Sequence, residues 1–481
     1  MSADLTPSMS AQAAAPSTPR PAPDTPADRW LAALALQAAV YAWPLVEMRR
    51  LRATTTPRRT DAEGPAGDTP DSPLRWVNAL QHTRALLRAG QSRVVLPNND
   101  TLYTNAWLDL ADGPLALELP DMGERYHVFG FLDAYTNPFA HVGTRTIGNG
   151  GGRVLITPPG WSGPVPAEFA APGRHLRAPT RWLWLIARIL VDGEADVPAV
   201  AALQARFRLL ACDAQGRPVE RPPARRWQPV GATRPPASAQ AFLREANAML
   251  AENPPPADEA ALLDTLRAVG LALDDAALAA LFARPGIQAA WDGALAEAAR
   301  LLDAGGLPAA HTAQHAPPDH WSLGSLVPGE SFGHDWLARA VTARQAIGAL
   351  CPAEAIYPRC FADADGHPLT GAHGYVLRFE PGRLPPVDAF WSITLYGAQD
   401  YHFVDNPIDR YAIGDRTPGL QPDADGGLTI HLRHEAPPDA AARANWLPAP
   451  AGEFLLCLRA YLPTPAWSTG AYRLPAPVRI D

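Results

Sequence analysis

The chain has 481 residues, of which 47% are hydrophobic and 19% charged, and its formal net charge is −8. No basic stripe runs along it, so nucleic acid is not an expected partner. All 41 basic residues are arginines, and without a lysine, Schiff-base catalysis, pyridoxal phosphate anchoring and a Walker A phosphate loop are excluded.

The length suggests two or three domains. With 37 glycines and 53 prolines, the composition favours short strands and long loops over a helical bundle. Cys212, Cys351, Cys360 and Cys457 form no CxxC pair, so no structural zinc site is expected.

In chain order, residues 1–27 lack a basic n-region and an apolar h-region and read as a disordered Pro/Ala/Ser-rich tail, not a signal peptide. No run of about 18 apolar residues occurs, so no membrane span is expected, and the cytoplasm is the default location. Asp28 is the expected N-cap of a helix over 29–43, which Pro44 should end or kink. Residues 57–73 form a polar loop. Strands are expected at 92–97, 101–110, 115–119, 125–134, 153–158 and 181–191. Residues 28–195 therefore read as an N-terminal β-domain.

A helical connecting segment spans 196–350, with windows at 197–210, 237–252, 256–269, 287–303 and 334–349. Strands return at 373–379, 387–396, 427–434 and 453–462, giving a C-terminal β-sandwich domain over 351–481. The expected fold is mainly β with a helical middle segment: two antiparallel β-sandwich or jelly-roll-like domains joined by helices. No short-period repeat is visible. Similarity between the two β-units stays open.

In the strand PNNDTLYTNAWLDL (97–110), Leu102, Thr104, Ala106, Leu108 and Leu110 share an apolar core face. Tyr103, Asn105, Trp107 and Asp109 share the other, which suits either an amphipathic ligand or a neighbouring domain. Asp100, Asp133, Asn137 and Arg145 lie in or beside tight turns. Two carboxylates with an arginine can supply acid/base chemistry and hold an anion. The competing reading is a turn-fixing network. A His127/His141/Asp133 metal site is conceivable by residue type, but no metal is assigned. Gly329-Glu330-Ser331-Phe332-Gly333 matches the nucleophile-elbow pattern, although Pro328 precedes it and no αβ alternation surrounds it. The Asp363–Gly366 and Asp423–Gly426 stretches read as hairpin turns. Asp409-Arg410 and Asp415-Arg416 are expected to cross-pair within a braced or lid-like loop.

PNNDTLYTNAWLDLADGPLALELPD and RYHVFGFLDAYTNPFAHVGTRTIG resemble the bacterial domain of unknown function 1254. LPPVDAFWSITLYG, NPIDRYAIGDRTPGL, DGGLTIHLRH and NWLPAP resemble the domain of unknown function 1214. The two occur together, in this order, in one two-domain family. The resemblance implies two β-units joined by helices and carries no settled activity or catalytic roles. Many relatives look exported, whereas this sequence shows no signal. His127 stands where a second aromatic is usual, and Ser331 falls at a variable position.

The leading expectation is an enzyme acting on a small polar or amphipathic molecule. Asp100 and Asp133 would do acid/base work, Arg145 would hold an anionic group, and Asn98, Tyr103, Trp107 and Asn137 would contact the ligand. The alternatives are a non-catalytic ligand-binding or assembly protein, with homo-oligomerisation open, and a serine hydrolase using Ser331. No cofactor is assigned.

Overall fold

Leu102, Ala106, Leu108 and Leu110 line one face of a strand, and a strand with an apolar face must bury it against a second layer. The computed structural model describes residues 25–57, 75–91, 96–221, 223–229, 236–305, 320–322 and 327–481. The expected tail, the 57–73 loop and the 92–97 strand fall wholly or mostly outside these residues.

The first sandwich is built from β1 (Arg75–Val77), β2 (Gln81–His82), β3 (Thr101–Asp109), β4 (Leu115–Leu119), β5 (His127–Leu132), β6 (Ala140–Gly143), β7 (Gly152–Thr157), β8 (His175–Arg177), β9 (Trp182–Leu190), β10 (Arg208–Ala211) and β11 (Arg225–Trp227). Its two main sheets run β2-β3-β9-β5-β6 and β10-β4-β7-β8. They enclose Leu102, Leu108, Leu117, Phe129, Val154, Leu185 and Ile189.

The second sandwich uses β12 (Trp321–Ser322), β13 (Ala355–Ile356), β14 (Arg359–Cys360), β15 (Tyr375–Phe379), β16 (Val387–Gly397), β17 (Ala412–Gly414), β18 (Leu428–Arg433), β19 (Trp446–Pro448), β20 (Phe454–Pro463) and β21 (Val478–Arg479). Its sheets run β12-β14-β20-β16-β17, with β13 also on β20, and β19-β18-β15-β21. Leu377, Trp391, Ile393, Ile430, Leu456 and Leu458 fill its core. The chain is thus mostly β, with sandwich-like domains and helices between them.

The two sandwiches repeat one topology. The path β3-β9-β5-β6 corresponds to β14-β20-β16-β17, and β10-β4-β7-β8 to β21-β15-β18-β19. Even the parallel pair β7/β8 recurs as β18/β19. The registers make residues equivalent. Val128 lies opposite both Arg188 and Gly143, as Ser392 lies opposite both Arg459 and Gly414. Thr101 faces Leu190 as Ala355 faces Tyr461. Arg188 therefore matches Arg459, Gly143 matches Gly414, Asp100 matches Glu354 and Tyr103 matches Tyr357. Each matched glycine opens a Gly-x-Arg-Thr run, which pairs Arg145 with Arg416.

The helices are α1 (Pro26–Thr55), α2 (Thr144–Ile147, one turn), α3 (Val197–Gln204), α4 (Ala239–Glu252), α5 (Ala260–Leu266), α6 (Asp275–Phe282), α7 (Ile287–Asp303), α8 (Trp336–Gln345) and α9 (Ala440–Ala444). Three expectations change. First, α1 begins with Thr25 as N-cap, and Asp28 completes a capping box from the third position. Second, α1 does not end at Pro44 but continues to Thr55. A helix-interior proline costs about 3 kcal/mol, but Tyr41, Leu45 and Met48 around it are fully buried. Burying each such side chain contributes roughly 1.5–3 kcal/mol. Third, the window 197–210 divides into α3 and the strand β10, and α6 was not anticipated.

By length and composition α1 is long and apolar enough to span a membrane. In this structure it is a core helix, packed on α4, α7 and α8 and not on the sheet interior of the first sandwich. This helical layer also covers the second face of β3. Trp107 stacks on Trp184 with ring centroids 5.8 Å apart, and its Nε1 donates to Thr55 Oγ1 at 2.9 Å.

The repeat predicts a matched pair of variants. A Cβ at Gly143 would lie 2.1 Å from the His127 carbonyl oxygen, and one at Gly414 would lie 2.2 Å from that of Trp391. Gly143→Ala and Gly414→Ala should each lose about 3 kcal/mol in urea unfolding. Gly150→Ala, with nothing within 4 Å and no left-handed backbone, should change stability by less than about 1 kcal/mol. Similar midpoints for all three variants would reject the steric account.

Candidate binding site in the seam between the sandwiches

Alternation along the two central strands builds the site. On β9, Leu183, Leu185, Ala187 and Ile189 point into the first sandwich. Trp182, Trp184 and Ile186 face the helices. Arg188, the next residue on that outer face, meets the second sandwich. On β20, Leu456, Leu458 and Ala460 point inward, leaving Cys457, Arg459 and Tyr461 to face the first. The two outer faces close on an aromatic contact. Phe390 stacks on Tyr461 at 4.2 Å, and Tyr126 meets both edge-on at 5.5 and 5.4 Å.

Crossed ion pairs flank this contact. Arg145 of the first sandwich holds Glu354 at 2.6 Å. Arg416 of the second holds Asp100 at 3.3 Å. Because these residues are equivalent in the repeat, each copy grips the carboxylate of the other. Tyr126 donates to Glu354 at 2.8 Å, and Ser392 donates to Asp100 at 2.6 Å. Burial pushes the Glu354 carboxyl above its ordinary value, against the pull of Arg145 and Tyr126. Arg416 also reaches Asp192 at 3.0 Å and Asp415 at 3.6 Å. Burial pushes Asp415 up to about 6, opposed by Arg416.

The matched arginines differ in one respect. Arg459 is fully engaged at both terminal nitrogens: Nη1 donates to Thr394 Oγ1 at 2.9 Å, and Nη2 to the Leu96 and Pro97 carbonyls at 2.9 and 3.3 Å. Arg188 is equally buried, at 7% exposure. Its Nη2 donates to the Gly348 carbonyl at 2.8 Å, but its Nη1 has no partner. The Tyr357 hydroxyl is likewise buried and unpartnered. Tyr103, Tyr126, Tyr357 and Tyr461 are the electrostatic neighbours of Arg188, and the Tyr103 ring lies 5.5 Å from its guanidinium. Tyr103 and Tyr357 keep part of their surface accessible.

The residues expected from sequence are distributed as follows. Asp100 and Arg145 both lie in the seam, but in different ion pairs. Asp133 closes its own turn, accepting from Tyr135 N at 2.8 Å and from Asn137 N and Nδ2 at 2.9 Å each. No hydrogen bond or ion pair joins Asp100, Asp133 and Arg145. Asn98 belongs to the seam, since its Oδ1 accepts from Asp100 N at 2.6 Å and its Nδ2 donates to Tyr461 at 2.8 Å. Tyr103 also lies there. Trp107 packs under the helices, and Asn137 Oδ1 accepts from Phe332 N at 3.1 Å.

Ser331 is exposed and accepts from Gly333 N at 3.0 Å. It sits in a loop before α8 with no histidine bonded to it, and His334 pairs instead with Asp258 at 3.0 Å. His127 and His141 form no ligand group with Asp133. Burial lowers them to about 4 and about 3, respectively, and Nε2 of His141 accepts from Cys351 N at 3.3 Å. Among the described residues, ligating atoms converge at Asp363, Asp365 and His367. That turn repeats the one at Asp213: each aspartate's Oδ1 accepts from the backbone two and four residues on. The Asx turn accounts for its geometry. Asp409 and Arg410 do not pair with Asp415 and Arg416. Asp409 reaches Arg88 at 2.7 Å, and Arg410 donates to the Ala444 and Trp446 carbonyls. Arg188, Tyr357, Glu354 and Arg459 went unrecognised in the sequence. The signal available for them was the repeated Asn-Pro followed by Gly-x-Arg-Thr at 137–146 and 406–417.

Comparison with known proteins agrees with this architecture. A model of DUF1254, a protein of unknown function, matches residues 77–211, and one of DUF1214, also of unknown function, matches residues 354–465. None of the curated proteins matches the chain. The crystal structure of a protein from Vibrio parahaemolyticus is similar at 23% identity and a TM-score of 0.64, covering 94% of this chain and all of that one, a likeness of fold alone. An uncharacterised protein from Burkholderia cenocepacia aligns at 14% identity and a TM-score of 0.41, over 95% of this chain and 90% of its own. One family model falls on each sandwich, in order along the sequence, and the chain accordingly belongs to the two-domain DUF1254–DUF1214 family of unknown function.

Proposed function

We propose that the protein binds a small carboxylate in the seam between its sandwiches, with Arg188 Nη1 and the Tyr357 hydroxyl as donors. The observation that carries this reading is the contrast between matched arginines. Arg459 spends its Nη donors on the protein, whereas Arg188 keeps Nη1 unpartnered beside an unpartnered phenol. A buried guanidinium with an unmet donor and no ion pair of its own is costly, and a charge-assisted bond to an anion offsets that cost. Neither buried carboxylate nearby is free to serve Arg188, because Glu354 is bound by Arg145 and Asp100 by Arg416. The partly exposed rings of Tyr103 and Tyr357 would receive the apolar body of the ligand.

In this reading Asp100, Asn98 and Arg145 set the seam geometry, and Tyr103 lines the ligand. Asp100, Asp133 and Arg145 sit in separate networks, which disfavours a joint acid/base role. Binding without turnover is the reading this geometry supports best.

Benzoate, with benzamide as its neutral counterpart, tests the proposal by calorimetry. Wild-type protein should bind benzoate and not benzamide. Tyr357→Phe should weaken benzoate about tenfold, one hydrogen bond's worth, and Arg188→Met should abolish binding. Unliganded Arg188→Met should unfold no earlier than wild type, since removing a buried charge that has an unmet donor and no ion pair offsets the lost bond to the Gly348 carbonyl. Unchanged benzoate affinity in Arg188→Met would end the proposal.

The seam also predicts a pH effect. The Asp415 carboxyl is raised in the folded state to about 6 from 3.8, so the native protein binds that proton more tightly and stability falls as pH rises through this window. Asp415→Asn should therefore be more stable than wild type above pH 6, by on the order of 1 kcal/mol after discounting for partial exposure. The gap should close as pH falls toward 4. A gap that is independent of pH in thermal melts would contradict this assignment.

A further inference from the structure

The helical layer contains a cleft that shares no lining residue with the seam. It has a volume of about 920 Å³ and lies between α4, the Pro254–Pro256 run, α5 and the turn leading into α6. Ligand sites typically measure about 300–1,000 Å³. Ala241, Ala248, Pro254, Pro255, Leu263 and Leu273 give it mostly apolar walls.

We infer that this cleft is a second binding site, for an amphipathic primary amine, with Glu245 as the counter-ion of the ammonium group. Glu245 lines the cleft, and its Oε2 is buried without a hydrogen-bond partner. The other charged groups lining the cleft are committed. Arg244 pairs with Asp275 at 3.7 Å and Arg267 with Asp264 at 3.3 Å. Asp274 caps α6 by accepting from Ala277 N at 2.8 Å. Arg49 has an interaction of its own. Burial holds the Glu245 carboxyl above its ordinary value, and Glu47 adds to this, while Arg49 and Arg50 oppose it. An ammonium group supplies up to three donors and a positive charge, answering both the missing hydrogen bond and the burial. An alkyl chain would lie along the alanine and proline walls. A carboxylate ligand would instead meet Glu245 with like charge.

The test titrates octylammonium, octanoate and 1-octanol into the full chain at neutral pH by calorimetry. Octylammonium should bind at least tenfold more tightly than octanol in wild type, and at least tenfold more tightly than either comparator in Arg188→Met, where the seam no longer takes octanoate. Glu245→Gln should remove that preference, and Arg188→Met should leave it intact, which separates this site from the seam. Ala248→Trp, which fills the cleft from α4 and keeps Glu245, should abolish binding. Circular dichroism and thermal melts identify any variant that does not fold, and the remaining variant then decides. Equal binding of octanol and octylammonium, or full affinity in a folded Glu245→Gln or Ala248→Trp protein, would overturn the inference.

Discussion

Burying charge between two sheets constrains the rest of this structure. The outer faces of β9 and β20 bring Arg188 and Arg459 out of water at one interface, where an unpaired guanidinium is expensive. The fold meets this with groups that only the opposite copy supplies. Arg145 takes Glu354, Arg416 takes Asp100, and Arg459 takes the carbonyls of the segment that leads into β3. Each sandwich alone would leave its own members of these ion pairs without their partners. The interface is therefore a required part of both domains, and its geometry is set to within the tolerance of a hydrogen bond.

Repetition within one chain offers an internal comparison that a single domain lacks. Asp100 and Glu354, Arg145 and Arg416, and Tyr103 and Tyr357 stand at matching positions with matching or similar chemistry. Departures from the symmetry are then informative. Val128 matches Ser392, and only the serine donates to a carboxylate. Arg188 matches Arg459, and only Arg188 retains a free donor. Asp213-Ala-Gln-Gly-Arg and Asp363-Ala-Asp-Gly-His fold into the same turn. This argues that the acidic spacing in the second is turn chemistry and not a cation loop.

The helical layer carries a different lesson. Trp107 and Trp184 stack on each other within the cluster that the helices form, with Trp107 donating to Thr55 of α1, so this part of the aromatic face is a packing surface and only Tyr103 lies in the seam. Alternation in a strand shows that both faces are occupied, but does not distinguish a ligand from a helix. The same limit explains α1. Pro44 is a local breaker, and only the burial of Tyr41, Leu45 and Met48 against helices distant in sequence overrides it.

The sequence by itself determined the long strands and most of the helices, the division into two β-units with helices between, the core face of β3 and the family. Each of these depends on local periodicity, turn residues or contiguous motifs. It also singled out Asp100, Arg145, Asn98 and Tyr103, because their motifs are dense in polar turn-formers. Tertiary structure alone decided which of these residues meet. Asp133 and Asn137 close a local turn, whereas Asp100 and Arg145 face partners 316 and 209 residues away. Arg188 read as an ordinary arginine in an apolar run. Its character comes from the second sandwich closing over it, and partners so far apart in the chain leave no local pattern to read.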